Sequence, residues 1–431
     1  MKITSLTIKN FRGIKDAKFA FHKKLNVFIG ENGVGKSAVL DCIAILLSKF
    51  TYRLISQKNN GRPFLESDIS HGESYTSNDI SIKINEKNYL LSDEKHKKNK
   101  KDKKESIKNI DNILENIISC IELNVNTNIP LICFYPTNRN INSISLSITK
   151  KNKFDQISAL EGSLLKKGEK SDFNNFFRWF RNREDLENEK LRDFHEDIQK
   201  ISFPLVQSDP QLDAIRNALK ILMPEFHSLR VRRSPLRMVV MKGEEEFRLE
   251  ELSDGEKGLL VLVADMARRM AMANPAMENP LEAEAIFLVD EIELHLHPSW
   301  QRKILPSLLK VFPNCQFFVA THSPQVLGEV EDTQSIWVMK KGTPPYHPNR
   351  AYGLTSGEIL GEIMGTNERS AEVETKLNHI SLLIDEERFD EAREEIRNLA
   401  KKTKDIPALL YFNTTLTMLE EEQAELDTYN A

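Results

Sequence analysis

Residues 30–37 read Gly30-Glu31-Asn32-Gly33-Val34-Gly35-Lys36-Ser37, which fits the spacing G-x-x-x-x-G-K-[ST]. Glycines at these positions let the backbone curl until several N–H groups face one anion. Residues 25–29 (LNVFI) lead into the loop as a continuous apolar run, the pattern of a strand buried on both faces. Residues 37–50 (SAVLDCIAILLSKF) lead out of it with apolar residues at helical spacing. Strand, glycine turn and helix in that order predict a phosphate cradle. The helix presents its positive N-terminus to the anion. Lys36 is placed to reach the β and γ phosphates, and Ser37 to hold Mg²⁺ through its hydroxyl.

Two later segments supply complementary chemistry. Residues 285–291 (AIFLVDE) are an apolar strand ending in two carboxylates. Asp290 is read as the Mg²⁺-holding acid and Glu291 as the general base for an attacking water. Leu252-Ser253-Asp254-Gly255-Glu256-Lys257 opens a helix. Ser253 with Glu256 three residues later makes a capping box, and a free hydroxyl and a glycine at a helix N-terminus also bind a γ-phosphate. The segment lies 37 residues before Asp290.

The order of phosphate loop, LSDGEK, apolar strand with Asp-Glu and a later histidine (Ala320-Thr321-His322-Ser323) resembles the ABC ATPase superfamily. Asn10-Phe11-Arg12-Gly13 before the loop, and residues 290–298 (DEIELHLHP) after the acids, resemble its RecF, SMC and OLD-type branch. The resemblance implies that two heads sandwich two ATP molecules. Gly30, Asn32, Gly33, Gly35, Lys36, Ser37 and Arg12 would bind nucleotide in cis, with Ser37 and Asp290 on Mg²⁺. Ser253 and Gly255 would act in trans, and His322 would contact the γ-phosphate beside the catalytic Glu291. Asp254 and Glu256 depart from the superfamily's LSGGQ. Residues 135–139 (YPTNR), 173–189 (FNNFFRWFRNREDLENE) and 351–356 (AYGLTS) further resemble the ATPase subunit of Septu antiphage systems (PtuA type), including retron-associated forms. That likeness implies a homo-oligomer with an HNH endonuclease partner, nucleotide control of the nuclease, and DNA met through the complex. The alternative is a RecF-like DNA-binding repair ATPase.

Composition sets the outer bounds. The 431 residues carry 60 Lys+Arg and 64 Asp+Glu, which excludes a simple polybasic nucleic-acid binder. Four scattered cysteines with no C-x-x-C pair argue against a structural zinc site and a disulfide-stapled secreted domain. No apolar run approaches the roughly 20 residues of a membrane span, and the first 25 residues do not read as a signal peptide. A cytoplasmic protein without membrane contact is expected. Charge is uneven: residues 1–110 hold 22 Lys+Arg against 12 Asp+Glu, and residues 361–431 hold 8 against 17.

The expected fold is α/β: an ABC-ATPase head with a parallel sheet and an N-terminal antiparallel subdomain, an inserted helical lobe and a C-terminal helical tail. The expected divisions are 1–150, the front of the head; 151–229, the helical lobe; 230–345, the rest of the head; and 346–431, an acidic docking tail. Residues 79–91 read as two short strands with a turn at 85–88. The tail reads as helices over 370–400 and 405–425, the second capped by Asp405. About 215 residues separate Lys36 from Ser253 without sustained heptads, so no long coiled-coil arm is expected. No HNH or Ser–His–Asp constellation is visible, so cutting of nucleic acid is assigned to a partner.

Several features keep two readings. Lysines in 95–108 could track a phosphate backbone or form a solvated loop. Arg230, Arg232, Arg233 and Arg237 could form a second basic strip. The aromatic residues around Trp179 could be lobe core or a base-stacking platform. His295 and His297 with Glu293 could be a metal pair lacking a third ligand, or packing. Asp68-Ile69-Ser70-His71-Gly72 could reach the nucleotide or be a plain surface loop.

Overall fold

The structure, a computed structural model, describes residues 1–56, 61–97, 108–123, 127–139, 141, 144–149, 154–164, 173–197, 208–404 and 406–430. Contacts divide the chain into two compact units, Met1–Thr355 and Ser356–Ala431.

In the first unit, strands β1 (Lys2–Phe11), β2 (Ile14–Ala20), β4 (Tyr75–Ile84) and β5 (Lys87–His96) form an antiparallel sheet in the order β2-β1-β4-β5. A second sheet is wholly parallel. It is built from β3 (Leu25–Ile29), β6 (Leu131–Tyr135), β10 (Ala285–Val289), β11 (Gln316–Ala320) and β12 (Ile336–Val338), in the order β12-β3-β11-β10-β6. Every residue of its five strands is buried. That explains their continuous apolar runs, since a parallel strand is covered on both faces. Helix α1 (Lys36–Ile55) touches β4 of the antiparallel sheet and β6 and β11 of the parallel one. It is therefore buried nearly all round, as its apolar composition requires.

β4 and β5 run longer than the two short strands read over 79–91. The reason is that β4 turns polar residues inward: Thr76 Oγ1 donates to Lys9 O at 2.8 Å and Asn78 Nδ2 donates to Thr76 Oγ1 at 3.0 Å. Buried polar residues hide a strand from any apolar-alternation test. The turn itself is Asn85-Glu86, both with positive φ.

Helix α2 (Lys108–Glu122) follows the segment 98–107, so most of the lysine run lies outside the described residues. Helices α3 (Asn174–Asp197) and α4 (Pro210–Leu222) occupy the region read as a helical lobe. Phe173, Phe176, Phe177, Trp179 and Phe180 are all buried there, so they are core and no stacking platform. A third sheet, antiparallel, holds β7 (Phe226–Arg233), β8 (Leu236–Lys242) and β9 (Glu245–Arg248). It carries the chain to α5 (Asp254–Ala273), α6 (Pro298–Val311) and the short α7 (Pro324–Leu327).

The second unit starts with the three-residue helix α8 (Ser356–Glu358) and contains α9 (Ala371–Asp385), α10 (Phe389–Thr403) and α11 (Pro407–Asn430). Leu377, Ile380, Ile396, Leu399, Leu409 and Leu416 share its core. The single helix read over 370–400 is broken at Glu386–Arg388, where Glu387 takes φ 57°. The break folds Ala392, Ile396 and Leu399 of α10 back onto α9. Asp405, read as a helix cap, lies outside the described residues. Among the described residues no helix is long and apolar enough to cross a membrane.

Candidate functional site

Parallel neighbours end on the same side of a sheet, so the loops following β3, β11, β10 and β6 meet along one edge. They bring Gly30–Ser37, Thr321–His322, Asp290–Glu291 and Pro136–Arg139 together.

The loop after β3 is shaped by its glycines. Gly30 has φ 151°, and a Cβ there would stand 2.1 Å from Met339 O. Gly35 has φ 108°, and a Cβ would meet Ile14 Cγ1 at 2.9 Å. Neither place admits a side chain. Lys36 Nζ folds back to donate to Gly30 O at 2.7 Å and Glu31 O at 2.9 Å. Its burial pushes the ammonium pKa down to about 8, against the pull of Asp290, Glu293 and Glu291. Ser37 Oγ donates to Asp290 Oδ1 at 3.1 Å. Burial raises the Asp290 pKa, a trend the Ser37 bond opposes and nearby Glu291 reinforces. Asn32 is exposed on the same loop.

The turn Asn10–Gly13 lies against this loop, since a Cβ on Gly13 would sit 3.9 Å from Gly33 O. Asn10 and Arg12 both have positive φ. Arg12 Nε donates to Asp68 Oδ1 at 2.8 Å, its guanidinium also binds Asp41 of α1, and Arg12 N donates to Asp68 O at 2.7 Å. Asp68 is therefore buried and spoken for, and the stretch 68–72 anchors this turn.

Sequence reasoning names two residues of the edge, Arg139 and Glu293, without giving them their roles here. Arg139, buried at 8% exposure, donates to Asp290 O at 2.5 Å, Glu291 O at 2.5 Å and Pro136 O at 3.2 Å. Glu291 itself sits at φ 45°, a conformation that costs a non-glycine residue about 1 kcal/mol or more. Glu293 accepts from Thr321 Oγ1 at 2.8 Å and from the His322 backbone N at 2.5 Å. It thereby ties the His322 loop to the acid loop. Burial, followed by the charge of Lys36, lowers the His322 pKa, which favours the neutral ring. The signal available in the sequence was position alone: Arg139 four residues beyond β6, Glu293 two beyond Glu291.

The start of α5 lies against the loop that follows Glu291. Ser253 caps the helix, accepting from Glu256 N at 3.3 Å, while Glu256 Oε2 accepts from Ser253 N at 3.1 Å and Oγ at 2.8 Å. Glu256 also receives Lys242 Nζ at 2.5 Å. Ser253 is exposed and, among the described residues, its hydroxyl bonds Glu256 and none of Lys36, Ser37 or Asp290. A Cβ on Gly255 would stand 2.3 Å from His295 O, so only glycine lets the helix start press against the loop after Glu291. Ser253, Gly255, His295, His297 and Trp300 line a cavity of about 600 Å³. His297 caps α6, its Nδ1 accepting from Ser299 N at 3.3 Å. Three of the four arginines of the strip are paired within the unit: Arg230 and Arg232 with Glu246, and Arg233 with Glu184 and Asp185.

A glycine cradle, a lysine and a serine facing an acid at the carboxyl edge of a parallel sheet define a nucleotide-binding ATPase. Residues 1–327 match the AAA ATPase domain family (AAA_15), and the chain belongs to that family. It is 30% identical to "Retron Ec83 probable ATPase" of Escherichia coli over 86% of this chain and 78% of that protein. It is 23% identical to Septu protein PtuA of Bacillus thuringiensis, over 85% of each. Among solved structures, the Smc head bound to the C-winged helix domain of ScpA aligns with TM-score 0.46 and 16% identity, covering 80% of this chain and 98% of that one.

Proposed function

We propose that this ATPase is the regulatory subunit of an antiphage defence complex, closing two heads on ATP to control a partner HNH endonuclease. The observation that carries the nucleotide reading is the bond from Ser37 Oγ to Asp290 Oδ1. It aligns a hydroxyl from one loop and a carboxylate from another as two oxygen ligands of the kind Mg²⁺ takes. The surroundings fit the group as well. The cradle at Gly30 and Gly35 excludes any side chain, and Lys36, resting on main-chain carbonyls, is free to exchange them for phosphate oxygens.

Bound Mg·ATP would supply the phosphoanhydride and the Lewis acid. Lys36 and the N–H groups of Gly33 and Gly35 bind phosphate, with Asn32 beside them. Ser37 and Asp290 hold the metal. Glu291 accepts a proton from water, and His322 senses the terminal phosphate while Glu293 fixes its loop. Arg12 shapes the nucleotide side of the cradle through Asp41 and Asp68. Ser253, which is exposed, and Gly255 beside it complete the site of a second copy. The defence setting, the HNH partner and the contact with DNA through the complex rest on the whole-chain likeness to the retron and Septu proteins. The acidic 346–431 segment is assigned to docking within that assembly, and 1–150, 151–229 and 230–345 to the head with its inserted lobe.

Native pull-down of the tagged chain, expressed with its neighbouring genes, tests the partner. A stoichiometric HNH protein supports the reading; elution alone or with repair factors sinks it in favour of a RecF-like clamp. Glu291→Gln tests the heads, and its expected result is a dimer that forms with ATP and does not fall apart.

A further inference from the structure

Arg139 is a charged side chain buried with no carboxylate hydrogen-bonded to it among the described residues. Its three side-chain hydrogen bonds to described residues go to main-chain carbonyls: those of Pro136, Asp290 and Glu291. A guanidinium buried for stability alone is normally matched by a carboxylate. The same unit offers that contrast, because buried Arg268 and Arg269 both grip Asp265. Arg139 instead spends its planar fork on two consecutive peptide oxygens, one on each side of the Cα of the proposed base Glu291. The second belongs to a residue at φ 45°. A left-handed glutamate is held only if its surroundings over-determine it, and among the described residues Arg139 is the side chain that bonds its carbonyl. The Tyr135 carbonyl acts on the other side of Asp290, accepting Asp290 N at 2.9 Å. The segment from Tyr135 to Arg139 thus grips the acid loop at both its N–H and its carbonyls.

We infer that Arg139 is a positioning residue for the ATPase reaction: its guanidinium locks the backbone of Asp290–Glu291 so that the Glu291 carboxylate points at the attacking water. This deepens the reading above and rests on Glu291 being the base. Arg139 does not itself meet the nucleotide. Its loss acts on turnover and leaves nucleotide affinity in place. The arrangement also predicts that lysine cannot stand in, because one ammonium on a flexible stem does not reproduce a planar fork bonded to two carbonyls.

The test uses the full chain, in whatever complex it purifies, with Arg139→Ala, Arg139→Lys and Glu291→Gln compared in Mg·ATP turnover and in binding of Mg·ATPγS. A positioned general base contributes about 10²–10⁴-fold. The expected result is a fall in kcat of at least about 30-fold for Arg139→Ala and about tenfold for Arg139→Lys, with ATPγS affinity within about threefold of the parent. Added guanidinium can enter through the adjoining cavity of about 200 Å³ that Arg139 lines. It is expected to restore turnover in Arg139→Ala and not in Glu291→Gln. Turnover of Arg139→Lys within threefold of the parent overturns the inference. So does a loss of ATPγS binding equal to the loss of turnover in a variant that melts at the parent temperature. If Arg139→Ala does not fold, Arg139→Lys decides alone. Failure of the underlying reading looks different: Glu291→Gln then turns over normally, whatever Arg139 does.

Discussion

The loop at Gly30–Ser37 and the helix start at Ser253–Glu256 use the same physical device, helix N–H groups with a hydroxyl beside them, yet the fold treats them oppositely. Lys36 is buried, and the Ser37 hydroxyl bonds an acid 253 residues away in sequence. Ser253 is exposed, and among the described residues its hydroxyl bonds its own capping partner three residues on. The first half is assembled by this chain's sheet; the second is finished as a helix cap and left facing outward. The contrast teaches that one local motif can be tied into distant parts of a fold while a similar one is satisfied within its own turn.

The largest expected effect breaks or upholds the first half. Lys36→Ala is expected to lower nucleotide affinity by at least about 100-fold, since it removes charge-assisted bonds worth roughly 3 kcal/mol together. Titration with a fluorescent ATP analogue measures it, and an unchanged Kd removes the cradle from consideration. Next, Ser253→Ala in a Glu291→Gln background is expected to leave monomer affinity within about threefold. It should weaken the ATP-dependent dimer roughly tenfold or more, each lost charge-assisted bond counting about 1.5 kcal/mol or above. Sedimentation with and without ATP reads this out, and equal loss of both properties would place Ser253 in the same half as Lys36.

The pH dependence sharpens the comparison further. Lys36 titrates at about 8 in the nucleotide-free protein, and the charged form is the one that binds phosphate. Affinity is then full below that value and declines as pH rises through it. Between pH 7 and pH 9 the charged fraction drops about tenfold, and Kd is expected to rise by the same factor. Lys36→Arg should flatten the profile, because arginine keeps its charge; a flat profile in the parent chain contradicts the burial of Lys36. For stability the sign is the reverse. A lysine whose folded pKa is depressed destabilises the charged folded state, and this cost disappears as pH climbs from about 8 toward the unfolded value.

The smallest effect tests the capping reading. Glu256→Ala removes one side of the box and should cost about 1 kcal/mol, seen as a modest shift in urea midpoint. The half-buried Lys242 pair loses its partner in the same variant. No change in nucleotide affinity is expected, because Glu256 belongs to the outward half.

The parts of the molecule legible in residue order are those whose physics is local. A buried strand, a glycine turn and a helix are neighbours in sequence at 25–55, and their spacing announces a phosphate cradle before any fold is known. The acids after 285–289 and the cap at Ser253 are local in the same sense. The aromatic residues near Trp179 proved to be core because helical spacing placed them on a face that other elements cover.

Tertiary structure decided what depends on partners distant in sequence. Nothing near Arg139 announces that its guanidinium will meet carbonyls some 151 residues on, nor that Glu293 will bind a loop 28 residues away. The arginines of β7 read as a basic strip until β9 folds beside β8 and brings Glu246 against them. The front of β4 was hidden because its inward residues are the polar Thr76 and Asn78, with Asn78 Nδ2 donating to Thr76 Oγ1 and Thr76 Oγ1 donating to Lys9 O, so apolar alternation does not mark it. The helix break at Glu387 was hidden because Leu383 and Ile384 of α9, and Ala392 and Ile396 of α10, keep a helical rhythm across it. Local order supplies the donors and acceptors of this site. Sheet order, β3 beside β11 beside β10 beside β6, supplies the distances between them, because it sets which loop ends emerge side by side.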